Sequence, residues 1–188
     1  MTVSSGMMET AMQPWMSSTE IQTILKYLKS YYSMLEYGSG GSTLLFPNYV
    51  NEYYSLEHDE KWFNKVKNNC GQNVNITHVS RDYATPDINR IKATTWQELD
   101  TSSRAKDFKT YIEYPQFFKT KFNAVLIDGR ARPECAKFIK DYITDDGYMF
   151  MHDYWPECRS AYRVVEEHYQ VIDKVVEGQG LAVFRKRI

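Results

Sequence analysis

The chain reads as an α/β protein built on a mostly parallel, doubly wound sheet of about seven strands, closed by a C-terminal antiparallel hairpin. Three observations predict this. Short apolar runs alternate with helically spaced stretches from residue 19 to residue 79, the pattern of right-handed βαβ units. The run AVLI inside residues 122–127 is continuous enough to be buried on both faces, as central parallel strands are. The last two apolar runs, 171–176 and 181–185, are separated only by Glu177-Gly178-Gln179-Gly180, a tight-turn sequence.

Taken in order, residues 1–16 form a flexible tail, and 17–188 form one domain, a size that buries a real core. Thr19 to Tyr32 places Ile21, Ile24, Leu25 and Leu28 at helical spacing, with Ser17, Ser18 or Thr19 as the cap. A strand follows at 34–37, a helix at 43–50, a strand at 52–57, a helix at 60–69 and a strand at 73–79. From 81 to 121 the periodicity dissolves into Thr, Asp, Ser and Pro with an aromatic cluster of Tyr111, Tyr114, Phe117 and Phe118. A segment this long reads as a lid or insertion holding some short helix. Regularity returns with a strand at 122–127, a helix at 133–142 opened by Pro133, a strand at 147–151, a helix at 159–169 and the hairpin.

Composition excludes several classes. A net charge of −1 gives no electrostatic reason to expect nucleic acid or a membrane surface, and no apolar run approaches spanning length. Three cysteines, Cys70, Cys135 and Cys158, form no C-x-x-C pair, which suits reduced thiols in a cytoplasmic protein. Oligomeric state is not written in the chain.

Function concentrates at the strand ends, where open α/β sheets bind ligands. The first strand ends in Glu36 and breaks into Gly38, Gly40 and Gly41, with Ser42 and Thr43 placed to cap the next helix. The second strand ends in Glu57-His58, about 20 residues beyond the first glycine, where Rossmann-type sites bond a ribose hydroxyl. The dinucleotide fingerprint would need glycine at 43, which is threonine, so a nicotinamide-dependent oxidoreductase is disfavoured. The third, fourth and fifth strands end in Ser80-Arg81-Asp82, Asp128-Gly129-Arg130 and His152-Asp153. Five polar, mostly acidic ends on one rim predict a site.

The run Glu36-Tyr37-Gly38-Ser39-Gly40 resembles the E-x-G-x-G loop of class I S-adenosylmethionine-dependent methyltransferases. The resemblance implies the Rossmann-like sheet order 3-2-1-4-5-7-6 and S-adenosylmethionine as cofactor. It places Glu36, Gly38, Gly40, Ser42, Glu57, His58 and Asp82 around that cofactor. Gly38 and Gly40 would lie against its methionine moiety, Glu57 would accept both ribose hydroxyls, and Asp82 would bond the adenine amino group.

The second half, with VLIDGRAR and FMHDY, resembles small-molecule and sugar-acid O-methyltransferases, some of them dependent on a divalent cation. That resemblance matches Asp128 and Asp153 to the family's positions after strands 4 and 5. The adjacent His152 is a further catalytic candidate by its residue type, and Arg130, Arg132 and Tyr154, beside these turns, are candidate substrate contacts. A magnesium ion held by Asp128 and Asp153 is one possibility. Tyr154 in place of the family's asparagine, and the lack of a lysine three residues after Asp128, are departures from that pattern. The metal-free alternative makes His152 or Asp153 the general base toward an acceptor hydroxyl. Arginines beside the Asp128 turn suggest an anionic acceptor. The competing expectation is a non-catalytic cofactor-binding module that supports a partner subunit.

Overall fold

In the computed structural model of the protein, residues 12–82, 106–155, 157 and 160–187 are described. Seven strands form one sheet in the order β3-β2-β1-β4-β5-β7-β6. They are β1 (Ser33–Tyr37), β2 (Glu52–Glu57), β3 (Val74–His78), β4 (Phe122–Ile127), β5 (Ile143–His152), β6 (Tyr169–Val175) and β7 (Leu181–Lys186). The first five are mutually parallel, and β7 runs antiparallel to both β5 and β6. Fold class and strand order are as the sequence and its resemblance implied.

Five α-helices are described: α1 (Ser18–Tyr27), α2 (Ser42–Leu45), α3 (Glu60–Lys67), α4 (Lys109–Glu113) and α5 (Arg132–Ile139). A 3-10 turn, Phe46–Tyr49, continues α2, because Pro47 withholds an amide N–H from the α-helical ladder. The helix expected at 159–169 is instead a 3-10 segment, Ser160–Glu167. Ser17 starts α1 with a capping box: its hydroxyl accepts from the Glu20 amide, and the Glu20 carboxylate accepts from the Ser17 amide.

Side-chain alternation sorts the central strands onto two buried faces. Leu35, Tyr37, Val125, Ile127, Met149, Met151, Ala182 and Phe184 meet α4 and α5 on one face. Met34, Ala124, Leu126, Phe150, Leu181 and Val183 meet α1 and Phe46 on the other. That parity also decides the site. Glu36, Asp128 and His152 follow Met34, Leu126 and Phe150 by two residues and so belong to the face covered by α1 and α2.

Two expected segments differ from the sequence reading. Residues 83–105 of the expected lid lie outside the described residues. Its later part, however, is packed into the body: Tyr111 and Ile112 of α4 are buried, and Phe118 meets Tyr54 at 4.8 Å between ring centroids. The aromatic cluster there covers the sheet, because Tyr54 and Phe122 offer it apolar surface, and only Phe117 is largely exposed. Residues 12–16 of the expected tail also have a place. The Gln13 and Pro14 backbone runs so close to Gly41 that a Cβ there would lie 2.0 Å from the Gln13 carbonyl carbon. The third glycine of the loop is therefore a packing requirement of this chain's own N-terminal segment.

Candidate active site at the strand ends

Glu36, one residue before the end of β1, is fully buried beneath the glycine loop. Its carboxylate accepts hydrogen bonds from the hydroxyls of Ser42, Thr43 (2.5 Å) and Ser55 (2.9 Å). It thereby ties the start of α2 to β2 and holds the loop between them. Burial pushes its pKa up to about 7, while the three hydroxyls pull against that rise. Ser42, expected at the cofactor, spends its hydroxyl on Glu36 instead.

Gly38 takes φ +93°, and a Cβ on it would stand 2.5 Å from the Gly129 Cα. Its amide donates to the Leu56 carbonyl at 2.8 Å. The first glycine thus serves the crossing of two loops. Gly40 differs, since a Cβ there would meet little beyond the Ser42 hydroxyl at 3.8 Å. Of the three glycines it is the one that leaves open space beside the loop.

Glu57 ends β2 almost fully buried, and the protein already claims most of its carboxylate. Oε1 accepts from the amides of His58 and Asp59 at 2.8 Å each, and Oε2 accepts from the Ser39 amide at 3.0 Å. The His58 Nδ1 also stands 2.9 Å from Oε1, off-line for a hydrogen bond, so that contact is electrostatic. A carboxylate offers about four acceptor directions. The capacity left lies on Oε2, which suits one hydroxyl and not the pair expected from the sequence. The His58 ring packs edge-on to Phe108 and Tyr111. Asp82 is exposed, and both of its oxygens accept from Thr110, through the amide (3.0 Å) and the hydroxyl. It secures α4, which explains its carboxylate without an adenine.

On the acceptor side, the structure brings Asp128, His152 and Asp153 together, each offering a ligand-type atom within 4.8 Å of the others. His152 Nδ1 is 2.9 Å from Asp128 Oδ1. Its Nε2 faces Glu20 Oε1 at 3.5 Å, and both of those atoms are buried with no closer partner among the described residues. Glu20, missed in the sequence, is fully buried on α1 and arrives because His152 lies on the α1 face of β5. The sequence could have shown Glu20 only as the third residue of the capping box that starts α1; its place against His152 is set by the packing of α1 on the sheet.

Both imidazole nitrogens therefore face carboxylates, and the ring is 1% exposed. No nitrogen is left open to an acceptor, which corrects the expectation of His152 as a substrate-facing base. Burial would lower its pKa, but the Asp128 hydrogen bond and charge outweigh burial and raise it above the ordinary 6.5. A group with a raised folded pKa stabilises fully below its unfolded value, and the contribution fades as pH rises through the folded one. The stability difference between the protein and His152→Gln, followed by urea midpoints, is thus expected to shrink as pH climbs above 6.5. A difference that grows with pH would contradict this arrangement.

Arg132, expected at the substrate, is turned inward with its side chain 13% exposed. It donates to the carbonyls of Gly129 (3.1 Å), Asp128 (3.1 Å) and His152, and pairs with the Asp128 carboxylate (3.2 Å) and Asp153 (3.0 Å). Tyr154 is likewise buried, its hydroxyl donating to Glu166 at 2.6 Å, so it faces the core and not an acceptor. Arg130 alone of these three is exposed.

A magnesium ion does not fit the residues as they stand. Its two carboxylates are already crossed by Arg132, and the imidazole nitrogen nearest them is bonded to Asp128. A shallow depression lined by Lys67, Cys70, Gln72 and Asn75 lies at the opposite end of the sheet, where β3 begins, away from this rim.

A seven-stranded sheet of this order, with a glycine loop at the β1–β4 reversal and a carboxylate after β2, is the class I methyltransferase fold. The structural neighbours include class I S-adenosylmethionine-dependent methyltransferases. A methyltransferase-like protein from Silicibacter pomeroyi is 25% identical, with 92% of this chain and 87% of that chain covered at a TM-score of 0.61. A TehB-like methyltransferase from Corynebacterium glutamicum is 13% identical over 89% of this chain and 87% of that one, with a TM-score of 0.56. The N-methyltransferase NodS from Bradyrhizobium japonicum, bound to S-adenosylhomocysteine, is 11% identical over 94% of this chain and 89% of that one, with a TM-score of 0.50. No protein-family model and no curated protein sequence matches the chain. Among the described residues, no helix is long and apolar enough to cross a membrane.

Proposed function

We propose that the protein is an S-adenosylmethionine-dependent methyltransferase that modifies an oxygen nucleophile on a small molecule or sugar acid. The observation that carries this reading is the rigid loop at the strand-order reversal. Glu36 holds it from below through three hydroxyls, Gly40 leaves room beside it, and Glu57 stands next to it with acceptor capacity on Oε2. S-adenosylmethionine, when bound, supplies a sulfonium-activated methyl group.

The chain's own part is alignment and proton acceptance. Gly40 and Glu57 would hold the cofactor at the loop, and it would supply its methyl group to an acceptor oxygen at the rim, its sulfonium leaving as a neutral thioether. The hydroxyl proton passes to a carboxylate, Asp128 or Asp153, both about a quarter exposed at the rim. His152 acts behind Asp128 and orients it. The exposed Arg130 suits a carboxylate or phosphate on the acceptor.

Calorimetry with S-adenosylhomocysteine tests the reading. Glu57→Ala is expected to weaken binding by about 1–3 kcal/mol through the lost ribose bond and the loosened Ser39 amide. Binding of NAD with no heat from either methyl-cofactor form would overturn the assignment.

A second reading has a specific observation behind it. His152, Arg132, Tyr154 and Asp82 all spend their polar atoms inside the protein. A cofactor-binding subunit that supports a partner would need no acceptor machinery. Tight S-adenosylhomocysteine binding with no slow cofactor turnover, even with a panel of hydroxy acids, would favour it.

A further inference from the structure

We propose that Arg132 is the resident cation of the Asp128–Asp153 centre, and that this centre takes no divalent ion. Two carboxylates and an imidazole within 4.8 Å form the kind of cluster that hard cations occupy. Here the positive charge is built into the chain. One guanidinium nitrogen, Nη2, lies 3.2 Å from Asp128 Oδ1, and the other, Nη1, lies 3.0 Å from Asp153 Oδ2. The planar fork thus spans the pair and offsets a repulsion that would otherwise part them.

The same fork is held by three backbone carbonyls. Nε donates to Gly129, Nη2 to Asp128 and Nη1 to His152. Two of those carbonyls begin the turn after β4 and the third ends β5, so the guanidinium fastens the two strand ends and the carboxylates together. Admitting a divalent ion would require Arg132 to leave, stripping the three carbonyls of this donor. If it stayed, two cations would stand within a few ångströms of each other. Both outcomes are costly in a partly buried site.

Local backbone geometry directs the side chain there. Ala131 is left-handed at φ +49°, which turns the chain sharply at the start of α5 and aims its first residue back over the strand ends. Asp153 is also left-handed at φ +54° and so presents its carboxylate to the guanidinium. A non-glycine residue at positive φ is held against a local preference, and here two such residues converge on one ion pair. Burial would weaken the arginine's charge, but Asp128 and Asp153 raise its pKa above the ordinary guanidinium value.

This inference does not depend on the methyltransferase reading, because its test measures ion binding directly. Mn²⁺ is titrated into the full chain and free ion is followed by electron paramagnetic resonance. The protein and Asp153→Asn are expected to give coincident curves up to roughly millimolar Mn²⁺. Arg132→Gln, checked for folding by circular dichroism, is expected to bind Mn²⁺ at least about tenfold more tightly, and Asp153→Asn in that background should abolish the gain. Mn²⁺ binding by the unmodified protein that Asp153→Asn removes would overturn the proposal. A folded Arg132→Gln that gains no binding would overturn it equally. Should Arg132→Gln not fold, the first two curves decide alone, coincidence supporting the proposal and divergence refuting it.

Discussion

Glu36→Ala is expected to destabilise the protein by about 3–5 kcal/mol at the acid end of the range, near pH 4.5, a large share of a domain's total stability, with the loss read from urea unfolding. The carboxylate is fully buried and serves three hydroxyls, so alanine leaves Ser42, Thr43 and Ser55 without their acceptor and opens a void beneath the loop. Glu36→Gln isolates the charge. Its amide keeps the volume and can still bond the hydroxyls, but it does not titrate.

The sign of the pH effect follows from the raised pKa. With a folded pKa of about 7 against an ordinary 4.5, the buried site favours the protonated form. The contribution of Glu36 is full below pH 4.5 and is lost as pH rises toward 7, amounting to about 3 kcal/mol across that window. The unmodified protein should therefore lose stability relative to Glu36→Gln between those limits. Parallel pH profiles for the two would show that Glu36 stays ionised in the fold and would remove the burial argument.

Gly129→Ala is expected to cost about 3 kcal/mol, the upper end of ordinary overpacking. The new Cβ would stand 2.2 Å from the Tyr111 hydroxyl, and 3.0 Å from both the Gly38 nitrogen and the Tyr37 carbonyl oxygen. The Tyr111 hydroxyl is itself buried with no hydrogen-bond partner among the described residues, so Tyr111→Phe alone is expected to be neutral or slightly stabilising. Combining the two should recover part of the loss, because the worst clash disappears while the two backbone contacts persist. Simple additivity of the single changes in urea midpoints would place the Tyr111 hydroxyl elsewhere.

These residues also mark how far the chain alone could be read. The apolar alternation of 34–37, 52–57 and 122–127 reports which residues must leave water, and burial depends on that pattern directly. Those strands consequently lie within a residue of their expected places. The break at Gly38 and the acidic ends of the strands were legible for a related reason, since turn chemistry and strand termination are local. Glu36 at the glycine loop came from the resemblance to the E-x-G-x-G pattern, whereas its three hydroxyl partners came only from the fold.

Three-dimensional partnership was not legible. Arg132, Tyr154 and Asp82 had the right chemistry and stood at the right strand ends, yet their polar atoms are spent on Asp128 and Asp153, Glu166 and Thr110. Glu20 stands 132 positions from His152 in the chain and meets it only because both lie on one face of the sheet. The amino-acid sequence by itself determined the sheet, the loop and the rim on which ionisable groups would gather, because hydrophobic periodicity and glycine conformation act over a few residues. Only the tertiary structure decided which of those groups face one another and which face the cleft, because a side chain's free valences depend on neighbours that distant parts of the chain supply.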